Sequence, residues 1–235
     1  MSQFTWFSAR GPALLASQLD RRARLASPAP LCDSPLQQQR LVVLDLETSG
    51  LDLRRDQVLS IGAVVIEGGA IDLGRQFECT LQCPDQRLGT SVLIHGLAPS
   101  AIAAGSERVE ALLDFMEFLG NSPLLAFHAG FDQRMLARAL KQSLGHRLRH
   151  PFFDVAELAP MLCPQANIPR GDLDDWARYF GLQVQQRHHA SADALVTAEL
   201  ALILFSRARR QRLDSLQALQ QRLNGWRRRQ RVQAF

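Results

Sequence analysis

The stretch Leu41-Val42-Val43-Leu44-Asp45-Leu46-Glu47-Thr48-Ser49-Gly50 decides the fold. An apolar run rich in β-branched residues that stops at a glycine predicts a buried strand running into a turn. Side chains alternate along a strand, so Asp45 and Glu47 share one face, roughly 6.5–7 Å apart. Two carboxylates at the buried end of a strand are costly without a positive partner. A divalent cation with oxygen ligands meets that need. Two solvated acids on an edge strand give the same spacing, so the pair alone leaves both readings open.

Working outward, Val58 to Glu67 predicts a second strand. Gly68-Gly69 turns it into a third, about Ala70 to Gln82. Three strands joined by short turns make an antiparallel meander. Helical spacing follows at Val109, Leu112, Leu113, Met116 and Leu119, with Ser106 as the predicted N-cap and Gly120 closing the helix. Pro123 to Ala129 predicts a short buried strand, and a helix runs from about Phe131 to Leu144. Phe152 to Val155 predicts another strand, Leu173 to Phe180 a helix, and the last long helix begins near Ser191. A meander followed by strand–helix units implies an α/β protein. Its core would be a mixed five-stranded sheet, antiparallel first and then parallel, flanked by helices.

The chain has 235 residues, 46% of them hydrophobic, enough for one good-sized core. It divides into residues 1–40 (a short helix and a Pro-rich linker at Pro28, Pro30 and Pro35), a domain over 41–205, and an Arg-rich helical tail over 206–235. Charge follows the same division. The first segment carries five Arg against two acids and the tail nine Arg against one, while the overall charge is only +4. The middle segment is therefore acidic. Basic ends on an acidic body point to a polyanionic partner, with acids concentrated where cations bind. Cys32, Cys79, Cys83 and Cys163 form no CxxC pair, which argues against structural zinc and for reduced thiols in a cytoplasmic protein. No apolar run reaches the roughly 18 residues of a membrane span.

Two further acids join the first pair. Asp132, in Phe127-His128-Ala129-Gly130-Phe131-Asp132, falls where a strand hands over to a helix. Asp193, in His188-His189-Ala190-Ser191-Ala192-Asp193, falls in the first turn of the last long helix. Either acid alone also reads as an ordinary partner for a helix N-terminus. In this order the residues resemble the DEDDh group of 3′–5′ exonucleases, the DnaQ-like (RNase H-like) superfamily that includes the proofreading ε subunit of bacterial DNA polymerase III. Supporting signatures are Leu59-Ser60-Ile61-Gly62-Ala63, Ile94-His95-Gly96-Leu97, Phe153-Asp154 and Ala190-x-x-Asp193-Ala194. The resemblance covers about residues 40 to 205.

The resemblance implies two Mg²⁺ or Mn²⁺ ions held by Asp45, Glu47, Asp132 and Asp193, with His188 as general base. Hard cations suit carboxylate ligands, and an imidazole ordinarily titrates near pH 6.5. The His-x4-Asp spacing selects His188 over His189. By the same resemblance Thr48, Gly50, Leu51, His95 and Phe131 line the pocket for the 3′-terminal nucleotide, with Leu51 wedged against a base. The expected reaction is release of nucleoside 5′-monophosphates from single-stranded DNA 3′ ends. An exoribonuclease of the same fold and a non-catalytic nucleic-acid-binding adaptor remain as alternatives. A polymerase or other protein partner would engage the terminal extensions, and no membrane is implied.

Overall fold

The computed structural model describes residues 13–83, 96–168, 171–184 and 187–233. Its centre is a five-stranded sheet of β1 (Leu41–Thr48), β2 (Val58–Glu67), β3 (Ala70–Thr80), β4 (Leu124–Ala126) and β5 (Phe152–Asp154), in the order β3-β2-β1-β4-β5. The β1–β2 and β2–β3 pairs are antiparallel; β1–β4 and β4–β5 are parallel. The meander and the parallel half are therefore as the sequence predicts.

Along β1 the alternation separates two cores. Leu41 and Val43 belong to one apolar cluster, whereas Val42, Leu44 and Leu46 belong to another on the opposite face. The second cluster is covered by α3 (Arg108–Leu119) and α4 (Ala129–Leu144). The first is covered by α5 (Val155–Leu162), α6 (Leu173–Phe180), α7 (Ala190–Arg210) and α8 (Leu216–Gln233). Asp45 and Glu47 continue the Leu41/Val43 row, so they emerge beneath α7.

Several element boundaries differ from expectation for visible reasons. Ser106 is not the cap of α3: its backbone N–H donates to Thr80 O (2.8 Å) and it bridges Leu81, extending the sheet. Glu107 caps instead, its side chain accepting from Glu110 N (3.0 Å). β4 ends at Ala126 because His128 turns the chain in the left-handed region (φ 61°) and starts α4 at Ala129. α7 runs past residue 205 to Arg210, so the Arg-rich stretch begins inside that helix.

The two ends of the chain lie on this body. In α1 (Ala16–Arg24), Arg21 reaches Glu110 (2.5 Å), Asp114 (2.5 Å) and Glu117 (2.7 Å), all on α3. Ala29 N donates to Asn121 O and Leu36 N to Asp214 O, so the Pro-rich segment is laid along the surface rather than left as a free tether. Leu216, Leu219 and Leu223 of α8 are buried in the first core, and Arg227 pairs with Glu157 of α5. A short α2 (Pro99–Ala103) completes the helices among the described residues, and no described helix is long and apolar enough to cross a membrane. The four cysteines are free.

Candidate active site

Asp45 pairs across the sheet with Gly62 of β2. A Cβ on Gly62 would lie 2.1–2.4 Å from the backbone of Ala190 and Ser191. The missing side chain therefore lets the first turn of α7 rest directly on the sheet beside Asp45. Asp193, on that turn, is carried to the two strand acids as a result. Carboxylate oxygens of Asp45, Glu47 and Asp193 all lie within 4.8 Å of one another. Gly62→Val is expected to push α7 off the sheet, because backbone cannot yield as a flexible side chain does. Any activity that depends on the three acids should fall to background, and thermal denaturation should show a loss of at least about 1–3 kcal/mol. Full activity in that variant would break the link between Gly62 and Asp193.

Both oxygens of Asp193 are held. Arg187 Nη1 contacts Oδ1, and the backbone N–H of His188 donates to Oδ2 (3.1 Å). Arg187 is itself braced by Asp174 of α6 (2.6 Å). His188 adopts φ 62°, a left-handed conformation that turns the chain into the helix. Its side chain is exposed. His189 is engaged elsewhere: Nδ1 lies 3.1 Å from Ser191 Oγ and Nε2 lies 3.4 Å from Glu78 Oε1 on β3.

Asp132 stands at the edge of this group. It is 5% exposed, at the start of α4, and takes backbone N–H donation from Leu46. Its ligand atoms are not among those that converge within 4.8 Å, yet its charge acts on Asp45. The structure thus brings three of the four predicted acids into contact and leaves the fourth within electrostatic reach.

The crowding has a titration signature. Burial, reinforced by Asp132, Glu47 and Asp193, pushes the Asp45 carboxyl well above the usual carboxylate range. Burial and the Asp193 charge raise Glu47 to about 7, with Arg187 opposing. Burial also raises Asp132 strongly. Uncompensated acids in this arrangement fit a divalent cation, whose charge would offset their repulsion and whose hardness suits oxygen donors.

The predicted substrate pocket is partly in view. Thr48 is buried and donates from Oγ1 to Gly50 O (2.8 Å). Gly50 has an internal reason to be glycine: a Cβ there would lie 2.4 Å from Asp56 Oδ2. Asp56 in turn accepts from Ser49 Oγ (2.9 Å) and Asp52 N (2.7 Å), shaping the loop after β1. Leu51 is 83% exposed, so it is no part of the core. Phe131 is half-buried against the second cluster. His95 lies outside the described residues. Asp154 accepts from His128 N (3.1 Å) and Ala156 N (3.0 Å), a structural tie between β4 and α5. Sequence reasoning missed Arg187 and the role of Gly62. The signals were an Arg directly before the His-x4-Asp run and a lone glycine inside an apolar strand.

A mixed sheet whose first strand presents two carboxylates to a third on a flanking helix defines a class of α/β protein built around a carboxylate cluster. Within that class the chain belongs to the exonuclease family RNase_T, whose model matches residues 42–201. It is 32% identical over 170 residues to DNA polymerase III PolC-type of Thermotoga petrophila, covering 72% of this chain and 12% of that one. It is 29% identical over 160 residues to DNA polymerase III subunit epsilon of Aquifex aeolicus, covering 68% of this chain and 77% of that one. The chain therefore spans only a small part of its PolC-type relatives' length. Among solved structures, zinc-bound E. coli exonuclease I with single-stranded DNA superposes with TM-score 0.64 at 18% identity, over 74% of this chain and 42% of that one. Exonuclease X with 5′-overhanging duplex DNA gives TM-score 0.57 at 21% identity, over 71% and 91%. These two likenesses show a shared fold.

Proposed function

We propose that the chain is a two-metal-ion 3′–5′ exonuclease that removes nucleoside 5′-monophosphates from the 3′ end of single-stranded DNA. The observation that carries this reading is the convergence of Asp45, Glu47 and Asp193 within 4.8 Å beside the His188 backbone. These three, with Asp132, would hold Mg²⁺ or Mn²⁺. When bound, such ions lower the pKa of water and offset charge on the attacking and leaving oxygens. In the reaction, the water oxygen bonds to phosphorus and the P–O3′ bond breaks. The His188 imidazole takes the water proton, and the released 3′-oxygen takes a proton from solvent to end as a hydroxyl.

The surrounding residues have matching tasks. Arg187 and the His188 N–H fix the Asp193 carboxylate, so that it need not reorganise during turnover. Leu51, exposed on the loop after β1, supplies an apolar face for the terminal base, with Thr48, Gly50 and Phe131 completing that pocket. The preference for DNA draws on the DNA polymerase III relatives. A direct test is timed degradation of 3′- and 5′-end-labelled single- and double-stranded DNA and RNA, with Mg²⁺, Mn²⁺ or EDTA. Loss of label from 3′-labelled DNA only with metal is the expected result. Preferential RNA trimming would move the substrate to RNA, and nucleic-acid binding without nucleotide release would replace catalysis with an adaptor role.

A further inference from the structure

At the far end of α4 from Asp132, a cavity of about 260 Å³ opens between the segment after α1 and the loop after α4. The helix rise puts it about 20 Å from Asp132. Five basic side chains line it: Arg22, His146, Arg147, Arg149 and His150. Its remaining lining residues include no carboxylate. The nearby acids of α3 are already taken up by Arg21, through Glu110, Asp114 and Glu117. Arg147 and Arg149 are exposed and make no ion pair among the described residues.

One of these cations has a plain structural duty. Arg22 Nη1 donates to Leu144 O (2.8 Å), answering the exposed carbonyls at the α4 C-terminus. That explains a single arginine and leaves the other two unexplained. His150 forms part of the wall of the same cavity. It is 3% exposed, its Nε2 donates to Gly120 O (2.8 Å), and its Nδ1 is buried with no hydrogen-bond partner. A buried polar atom without a partner costs free energy unless a ligand or water meets it. Burial, and after it the charges of His150, Arg22 and Arg149, holds His146 below its usual range.

We propose that this cavity is an anion site that takes a phosphate group. Arg147 and Arg149 would grip the phosphate oxygens through charge-assisted hydrogen bonds, with Arg22 adding field. At about 260 Å³ the space suits a phosphate with its sugar; small-molecule pockets span roughly 300–1,000 Å³. The phosphate has two sources, a nucleic-acid backbone or a free phosphate such as a mononucleotide. The site is independent of the catalytic reading, because none of its residues belongs to the carboxylate cluster.

The test uses the full chain in EDTA, where the catalytic acids repel anions. Wild type is titrated calorimetrically with inorganic phosphate, and its thermal denaturation is compared in phosphate and in chloride of equal ionic strength. Wild type should bind phosphate and gain thermal stability from it. Arg147→Gln with Arg149→Gln, both at exposed positions, should weaken phosphate binding about tenfold or more while melting as wild type does in chloride. Anisotropy with a single-stranded oligonucleotide of about 20 nucleotides separates the sources. Parallel loss of DNA affinity assigns the site to the backbone, and unchanged DNA affinity assigns it to free phosphate. Absence of a phosphate-specific effect in wild type, or its persistence in the double variant, overturns the site.

Discussion

Replacing His188 by Ala should lower turnover on end-labelled DNA by about 10³-fold, the usual scale of a lost general base. Manganese binding, followed by calorimetry, should change little. The two effects separate because His188 serves the cluster twice over. Its backbone N–H holds Asp193 Oδ2, and its side chain is exposed to solvent. Only the second is lost in the variant. The backbone there is left-handed (φ 62°), which costs most side chains energy, so His188→Asn is the better control: Asn accepts that conformation and keeps the turn. Both variants should be inactive with near-normal metal affinity. His189→Ala should keep turnover within about threefold of wild type, because its ring joins Ser191 and Glu78 in a surface contact of small energetic value. Equal losses at 188 and 189 would remove His188 from the role of base.

What was legible in the sequence was what alternation and punctuation encode. The Leu41–Gly50 run places Asp45 and Glu47 on one face because strand periodicity leaves no choice, and the Gly68-Gly69 turn forces the meander. Asp193 could be placed on the first turn of a helix, but its distance from Asp45 could not be read. That distance depends on Gly62 pairing with Asp45 and leaving α7 room to descend, a contact between residues far apart in the chain. The boundary errors have a similar origin. Ser106 reads as a cap by type, yet a sheet bridge to Leu81 claims its backbone first. Arg-rich residues after 205 read as a tail because charge dominates composition. The Leu216, Leu219 and Leu223 stripe marks a helix in the sequence, but the core that receives it could not be read there. Arg187 went unnoticed because an arginine beside a histidine carries no periodicity; only its contacts with Asp174 and Asp193 reveal it.

Asp45→Asn should abolish turnover and, in EDTA near pH 8, make the protein more stable. Like charges about 4–5 Å apart repel by roughly 3–4 kcal/mol at an effective dielectric near 20, and Asp45 has Glu47 and Asp193 within 4.8 Å. If half of that is recovered, about 2 kcal/mol, the melting temperature rises by about 4–8 °C for a chain of this size. The pH dependence follows in sign. A carboxyl whose folded pKa is raised binds more protons folded than unfolded between the two values, so stability falls as pH rises through that window. For Glu47 the window runs from the ordinary range of 4.5 to about 7, and the raised Asp45 and Asp132 act in the same direction. Metal-free wild type should therefore melt at progressively lower temperature from about pH 5 to pH 8, and Asp45→Asn should show a shallower fall. Mn²⁺ should restore wild type at pH 8, since binding to the folded state alone adds stability by mass action, and should do much less for the variant. An Asp45→Asn protein that melts below wild type in EDTA would mean the cluster is not under electrostatic strain. The case for a cation among these acids would then lose its physical ground.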